Sequence, residues 1–532
     1  MAGGLPDPTY FPFESFGAAV LSTETFKSGD TAPGKKGWFA SWFGGSPATP
    51  PVQQITVPKF ANAPLPTSLQ ISTALQYGGA DGLLFLQNWV KQWASLVFAP
   101  AYDDWAILLD DGATDGWHKV IEMLCNPGDP ILVESWTYPS AIEGGWPLGI
   151  RPVPVAIDED GLNPEALDDV LSNWNVEERG CKKPTLLYTV PVGQNPTGSI
   201  ITNDRRQEVY AICVKHDVII CEDDFPYAKS EAPSTLSLLE ENRRFLKSLS
   251  PSYLRYDYQG RVIRLDTFSK TIAPGSRLGW ITSNSLFSER LLRASETSTQ
   301  QPSGFSQVLI SKMLETWGMD GWIRWLRGVR AQYRERANLM VEAFGEGLKI
   351  EKVRSAGVSS SKTSGRAPKY VGYAKYNSAK RTPLRTAELD EKFAQFGFSD
   401  CRSPLIDFRP PEAGMFLWVN IHLRSHKRFK QDASLEERRR MTKDLMNDLW
   451  EQFALKNLLI APGWMFNGDG LRYGAPDEDK TIKETLFDQN EGILSEGEEG
   501  IGHFRLAYSF STHERLREGV KIFCDTLTEF FE

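Results

Sequence analysis

Between about residue 68 and residue 330, short apolar runs alternate with stretches that have helical spacing. The runs are rich in β-branched residues and stop at proline, glycine or acidic residues, which is typical of buried strands. We predict strands at 131–135, 151–158, 185–190, 217–221, 261–268 and 278–283. We predict helices between them at 113–124 and 203–216, the second with Asn203 or Asp204 as its N-cap. This alternation predicts an α/β fold with a mostly parallel sheet covered by helices on both faces.

The pattern changes after residue 330. A long helix is predicted at 322–344, a strand at 414–421, and a charged, solvated helix face at 436–443. We predict three parts: an N-terminal arm or part of the small domain (1–60), a large domain (61–330), and a C-terminal small domain (331–532) with insertions near 355–400 and 475–500. Within the arm, the aromatic and glycine-rich segment 34–45 is expected to pack against the body or a partner subunit, with a substrate lid as the alternative.

Composition excludes several kinds of partner. The 532 residues include 59 Lys and Arg against 68 Asp and Glu, a net charge of −9, which argues against a nucleic-acid surface. The six cysteines form no CxxC pair, so reduced thiols and a cytoplasmic location are expected. There is no apolar run long enough to span a membrane and no metal-ligand pair of histidines beside a carboxylate, so neither a membrane nor a metal partner is expected.

Polar segments follow three of the predicted strands. "PVGQNPTG" (191–198), "EDDFPYA" (222–228) and "SKTIAPGSR" (269–277) each begin where an apolar run ends. Each segment alone has an ordinary explanation: a turn, a solvated acidic loop, or a surface lysine. Because ligands of parallel α/β sheets lie at the carboxyl ends of the strands, we expect the three segments to serve one site.

Pyridoxal 5′-phosphate (PLP) has chemical needs that these segments meet together. It requires an amine for its aldehyde, a carboxylate against its pyridine nitrogen, donors to its ring oxygen, and cationic and hydroxyl groups for its phosphate. The residues that supply these groups are Lys270, Asp224, Asn195, Tyr227, Arg277, Ser269 and Thr267. The sequence therefore predicts a PLP site.

With these motifs, the chain resembles the fold-type I, PLP-dependent class I/II aminotransferases. More narrowly, it is similar to fungal aromatic aminotransferases and to kynurenine/2-aminoadipate aminotransferases. The similarity runs from "AGGLPDPTYFPF" (2–13) through "TFSKTIAPGSRLGW" (267–280) and "PEAGMFLW" (411–418) to "FRLAYSF" (504–510). The resemblance implies a large domain with a mostly parallel seven-stranded sheet and a smaller α+β domain.

The resemblance also implies roles for individual residues. Lys270 would link covalently to PLP and then move a proton, while Asp224 would hold the pyridine nitrogen. Around the cofactor, Asn195 and Tyr227 would bind the ring oxygen, Tyr138 would stack on the ring, and the phosphate would lie on Ala113, Thr114, Thr267, Ser269 and Arg277. Tyr77 would reach the phosphate across a homodimer interface. For the substrate, Arg505 would bind the α-carboxylate with Asn195 nearby, and Gly4 and Leu5 would line the pocket. Two of these residues also have bland explanations: Tyr138 as a half-buried aromatic and Arg505 as a buried ion pair.

By this resemblance, the reaction is a ping-pong transfer of the amino group from an aromatic, kynurenine-like or 2-aminoadipate-like L-amino acid to a 2-oxo acid such as 2-oxoglutarate. Two alternatives share the fold: a PLP lyase or synthase, and a non-enzymatic PLP-binding effector module. There are departures from the family pattern. Ala113 stands where many relatives carry Ser or Asn. Relatives also carry a few dozen residues before the segment matching "AGGLP", which leaves open a misassigned start codon, a trimmed chain or a more open pocket.

Overall fold

The computed structural model describes residues 4–26, 51–223, 237–353, 368–375, 403–469 and 499–532. The segment 34–45 and most of the two predicted insertions lie outside these residues. The chain divides into two compact units. A first unit comprises Met1–Gln194 and Ser199–Gln332, and a second unit comprises Asn195–Gly198 and Tyr333–Glu532.

The first unit is built on a seven-stranded sheet. Its strands run in the order β3-β11-β10-β9-β8-β4-β5, and all neighbours are parallel except β11, which is antiparallel to both β10 and β3. This confirms the predicted mostly parallel sheet. The strands of this unit are β1 Ser15–Leu21, β2 Val52–Pro58, β3 Trp105–Asp110, β4 Pro130–Glu134, β5 Arg151–Val155, β6 Ile157–Asp158, β7 Gly161–Leu162, β8 Leu186–Thr189, β9 Ile219–Asp223, β10 Val262–Thr267 and β11 Gly279–Asn284.

Helices connect these strands. They are α1 Ile71–Ala74, α2 Leu84–Val97, α3 Ala113–Leu124, α4 Pro139–Glu143, α5 Pro164–Ser172, α6 Val176–Arg179, α7 Asn203–His216, α8 Leu238–Ser248, α9 Ser285–Thr297 and α10 Gly304–Gly347. Both predicted helices, 113–124 and 203–216, match α3 and α7. The N-cap prediction was wrong by one residue: Thr202 has the extended backbone of a cap, and its side chain accepts from the Arg205 amide.

Both faces of the sheet are buried. Along β10, Val262 belongs to one apolar cluster with Trp93 and Trp280, whereas the next residue, Ile263, belongs to another with Trp117. Because successive side chains of a strand point to opposite faces, a strand covered on both faces has a continuous apolar run. This is why the strands could be found by unbroken hydrophobicity rather than by alternation.

The second unit contains a six-stranded antiparallel sheet in the order β12-β13-β14-β15-β17-β16. Its aromatic core includes Phe344, Phe453, Phe504 and Phe523, and Phe453 stacks on Phe523 with ring centroids 4.8 Å apart. The elements are β12 Lys349–Val353, β13 Lys369–Tyr373, β14 Ile406–Phe408, β15 Phe416–His422, β16 Ala461–Pro462, β17 Ile501–Ala507, α11 Leu435–Leu455 and α12 His513–Phe531.

The two longest helices agree with the sequence prediction in part. The predicted helix 322–344 lies inside α10, which is interrupted at Gly318, where the backbone has φ 64° and ψ 175°. The charged run 436–443 lies in α11, whose first turn is closed by a reciprocal pair of hydrogen bonds between Ser434 and Glu437. Within the described ranges, no helix is both long enough and apolar enough to cross a membrane.

Candidate active site

Lys270 lies just beyond the end of β10, as predicted. The strand is buried up to Asp266, and Phe268 is fully buried behind it. The chain then turns away from the sheet: the Thr267 and Ser269 hydroxyl oxygens lie 2.9 Å apart, and the Ser269 amide donates to Thr267 Oγ1. Lys270 itself is exposed. The strand therefore fixes the backbone that carries the lysine, and the residue stands at an exposed position.

The start of α3 and the Arg277 side chain together form a cradle with the chemistry to receive an anion. Gly112 precedes the helix with φ 101°, so the first amide groups, those of Ala113 and Thr114, are at a helix N-terminus. The Arg277 side chain lies over this end, because its Nη2 donates to the Asp111 carbonyl at 2.8 Å. A Cβ on Gly112 would lie 3.1 Å from the same Nη2, so glycine makes the close approach possible. Helix amides and a guanidinium together suit a phosphate group.

A carboxylate that was not predicted from the sequence lies at the end of β9, the strand next to β10. Asp223 ends β9, which runs parallel to β10 with Asp223 opposite Leu265. Its Oδ2 accepts a hydrogen bond from the Tyr188 hydroxyl at 2.6 Å. Burial raises the pKa of Asp223, and the Tyr188 hydrogen bond and the charges of Lys270 and Arg264 oppose that rise. The carboxylate and the lysine amine are therefore electrostatically coupled within the first unit.

Two predicted residues, Asp224 and Tyr227, lie outside the described residues, so their assigned roles stay predictions. Asp223 was missed because "EDD" gives no reason to choose one aspartate over its neighbour. The strand register supplies the signal: Tyr188 pairs with Cys221, and residues two apart on a strand share a face. Asp223 therefore lies on the face that carries the Tyr188 side chain.

The aromatic side chains predicted to contact the cofactor are in different environments. Tyr138 precedes α4 and is half-buried against the apolar cluster that contains Trp117. Tyr77 is 64% exposed in the single chain, and Leu5 is 60% exposed beside the exposed Gly4. An exposed position is compatible with a role completed by a ligand or by a second subunit, and the roles of these residues stay predictions.

Arg505 and Asn195 lie together in the second unit. Arg505 is on β17, opposite Trp418 of β15, and its Nη1 donates to Asn195 Oδ1 at 2.8 Å. Its guanidinium carbon lies 4.1 Å from the centre of the Phe416 ring and 4.5 Å from that of Phe466. Two aromatic faces and one amide hold the planar group in place, which favours a fixed geometry for recognition of a carboxylate.

Comparisons with known proteins identify the family of the chain. The family model for aminotransferases of class I and II matches residues 50–368. The chain belongs to this family. An aromatic amino acid aminotransferase of Schizosaccharomyces pombe is 38% identical over 349 residues, covering 65% of this chain and 70% of that one. An L-tyrosine:2-oxoglutarate aminotransferase of Serpula lacrymans is 30% identical over 475 residues, covering 87% and 80%. The crystal structure of aminotransferase Aro8 from Candida albicans has a TM-score of 0.73 and 28% identity, covering 100% of this chain and 92% of that chain.

Enzymes of this family depend on PLP, and the first unit has residues that fit it. The absence of a Cβ at Gly112 leaves space in the cradle for an anion, and Arg277 provides the positive charge. Lys270 and Asp223 provide an amine and a carboxylate at the ends of adjacent strands. The fit is therefore chemical as well as topological. In the described part of the chain, the search for groups of His, Cys, Asp and Glu that could hold a metal ion found none.

Proposed function

We propose that this aminotransferase moves the amino group of an aromatic L-amino acid to 2-oxoglutarate in a ping-pong reaction. The relatives support the choice of substrates, because one is named for aromatic amino acids and another for L-tyrosine and 2-oxoglutarate. The observation that supports the chemistry best is the pairing of the Asp223 strand end with the strand that leads to Lys270.

Bound PLP supplies the aldehyde that captures the amino group and the ring that withdraws electrons from the substrate. Lys270 would hold the cofactor through its Nζ, and once a substrate amine had taken its place, the same Nζ would take the proton from the substrate Cα and later return it. Thr267 and Ser269, whose hydroxyl oxygens lie 2.9 Å apart just before Lys270 in the chain, would donate to the phosphate with Arg277. Anchoring at both the lysine and the phosphate limits the motion of the reacting atoms.

We propose Asp223, rather than Asp224, as the carboxylate that keeps the pyridine nitrogen protonated. What supports Asp223 is its hydrogen bond from Tyr188 and its electrostatic coupling to Lys270. The two assignments can be separated with the variants Asp223→Asn and Asp224→Asn. We expect the first to slow the half-reaction with an amino acid by about 100-fold or more, because the ring nitrogen loses its countercharge, and the second by less than about tenfold. The reverse order would return the role to Asp224.

We propose that Arg505 binds the α-carboxylate of both substrates. Its support is the guanidinium held between Phe416 and Phe466, with Asn195 on one of its nitrogens. The amino acid and the oxo acid each carry an α-carboxylate, so the same arginine would bind the substrate in both halves of the reaction. A bidentate pair would also orient the substrate Cα–H bond for proton removal.

A single-turnover assay tests the proposed function. The PLP-loaded enzyme is mixed with one amino acid at a time, and the cofactor absorbance and the released oxo acid are measured. An aminotransferase converts its cofactor to pyridoxamine phosphate and releases one oxo acid per site, whereas a lyase retains PLP. We expect Phe, Tyr and Trp to react with a higher kcat/KM than Asp, Ala, kynurenine or 2-aminoadipate. A preference for kynurenine or 2-aminoadipate would overturn the substrate assignment but not the transamination.

We also propose a homodimer in which Tyr77 contributes to the phosphate site of the opposite subunit. The large exposed fraction of Tyr77 in the single chain supports this arrangement, since an aromatic side chain at a protein surface is often covered by a partner. Sedimentation velocity measured with and without PLP would reveal the oligomeric state.

A further inference from the structure

Tyr188 contacts the Asp223 carboxylate and was given no role by the sequence analysis. It is the third residue of β8, and its side chain is 1% exposed. Its hydroxyl donates to Asp223 Oδ2 at 2.6 Å, across the strand pair in which Tyr188 is opposite Cys221. A hydroxyl placed in this way acts on the carboxylate of Asp223 and not on a surface group.

The direction of this hydrogen bond is fixed by the chemistry of the pair. Burial and the neighbouring Asp223 carboxylate both raise the pKa of Tyr188 well above its ordinary value. The phenol therefore stays protonated and is the hydrogen-bond donor, and the Asp223 carboxylate is the acceptor. Hydrogen bonds to a charged acceptor are the stronger kind, and they favour the ionised form of the acceptor.

The Tyr188 ring is held from behind. Trp117 packs against it with ring centroids 4.7 Å apart, and the Trp117 indole donates to the Ala141 carbonyl at 2.8 Å. Trp117 lies in α3, the helix whose first residues form the phosphate cradle. One helix therefore carries both the cradle for the phosphate and the packing that orients the phenol toward Asp223.

Arg264, one of the two cations that act on Asp223, already pairs with other carboxylates. Arg264 is 1% exposed, and it pairs with Glu222 at 3.0 Å and with Asp266 at 2.9 Å. Its guanidinium also lies 3.8 Å from the centre of the Phe98 ring. Because two carboxylates share this arginine, its charge offers limited support to a third, and the direct hydrogen bond from Tyr188 gains importance.

We propose that Tyr188 is a positioning residue of the aminotransferase: it holds the Asp223 carboxylate in the orientation and charge state that grip the pyridine-nitrogen proton of PLP. This inference rests on the proposed role of Asp223. It assigns a function to a buried hydroxyl that makes no contact with the substrate itself.

The test uses the PLP-loaded enzyme with Tyr188→Phe, which removes the hydroxyl and keeps the ring packed on Trp117. We expect the dissociation constant for PLP to rise about tenfold and the half-reaction rate to fall about tenfold, while the KM for the amino acid changes less than about threefold. Tyr253→Phe is the matched control, because Tyr253 is fully buried in the same unit but lies outside this pair. We expect it to leave PLP affinity within about twofold of wild type.

A double-mutant cycle with Asp223→Asn separates positioning from general packing. If Tyr188 acts through Asp223, then Tyr188→Phe changes PLP affinity by less than about twofold once Asp223 is already Asn. Equal effects of Tyr188→Phe in both backgrounds, or no more effect than Tyr253→Phe, would overturn the inference and leave the role of Asp223 intact. An Asp223→Asn variant with wild-type PLP affinity and rate would instead overturn the proposed role of Asp223 itself.

Discussion

Asp110 ends β3 two residues before the phosphate cradle and is 1% exposed. Its Oδ1 accepts from the Gly112 amide at 3.1 Å, while its Oδ2 has no hydrogen-bond partner among the described residues. Burial, together with the charge of Asp115, raises the pKa of Asp110 to about 8. The carboxyl is therefore neutral at pH 7, and Asp110→Asn replaces one neutral group by another of the same shape.

The sign of the pH effect follows from proton binding. Between the ordinary pKa of 3.8 and the raised value of about 8, the folded state holds a proton on Asp110 that the unfolded state has lost. The stability contributed by the neutral carboxyl is therefore fully present below 3.8 and is lost as the pH rises to about 8, at about 1.4 kcal/mol per pH unit. Asparagine cannot ionise, so the Asp110→Asn variant does not lose this stability as the pH rises. Allowing for local relaxation, we expect the variant to gain about 3 kcal/mol relative to wild type between about pH 5 and about pH 8.

Equilibrium urea unfolding of both PLP-loaded proteins, followed by tryptophan fluorescence at several pH values, measures this difference. Asp103→Asn is the control, since Asp103 lies on the exposed approach to the same strand. The difference in free energy of unfolding between Asp103→Asn and wild type should be the same at every pH. A difference between Asp110→Asn and wild type that stays constant, or that shrinks as the pH rises, would show that Asp110 is ionised in the folded protein and would refute the reasoning.

Four further variants test the site, and a fifth serves as a control. Lys270→Ala should lower turnover by at least about 1,000-fold and abolish the absorbance of covalently held PLP, so retained turnover would contradict its role. Arg505→Lys should raise the KM for both the amino acid and the oxo acid by about 10- to 100-fold, because the bidentate pair is lost; an effect on one substrate alone would argue against shared binding. Gly112→Ala should weaken PLP binding about tenfold in equilibrium dialysis, because its φ of 101° strains any side chain and its Cβ would meet the cradle guanidinium. Gly149→Ala, with φ 64° and more space, controls for backbone strain. If Tyr77→Phe is impaired, co-expression with Lys270→Ala yields mixed dimers in which the subunit that keeps Lys270 can receive Tyr77 from its partner. Up to about a quarter of all sites should then be active, whereas none would be if Tyr77 acted within its own subunit.

The sheet could be predicted from the sequence because its strands are buried on both faces. Predicted strand 261–268 contains β10, and predicted helix 113–124 matches α3 residue for residue. Strand ends were therefore located closely enough to place Lys270 beyond one of them. The physical reason is that burial on both faces leaves an unbroken apolar run, and the first polar residues mark the edge.

The acidic segment after β9 shows where sequence reasoning stopped. The position of "EDD" after an apolar run predicted that it supplies a carboxylate, but residue type alone does not say which aspartate faces the lysine. That choice depends on strand register: Cys221 lies opposite Tyr188, and this pairing puts Asp223 on the side of the phenol. Tyr188 was missed for the same reason, since a tyrosine inside an apolar run is ordinarily a core residue.

Charge balance at the start of α3 links the phosphate cradle to Asp110. Three carboxylates, those of Asp110, Asp111 and Asp115, lie close to the proposed phosphate site, and each would repel a phosphate group if it were ionised and unpaired. Asp115 is paired with the buried Lys119 at 2.5 Å, burial and the charge of Asp115 raise the pKa of Asp111, and burial keeps Asp110 neutral. A bound phosphate adds negative charge and would raise the pKa of Asp110 further, so the gain from Asp110→Asn at alkaline pH should be larger with PLP bound than without it. The same measurement on the PLP-free protein therefore tests whether the phosphate of PLP lies at this end of the helix.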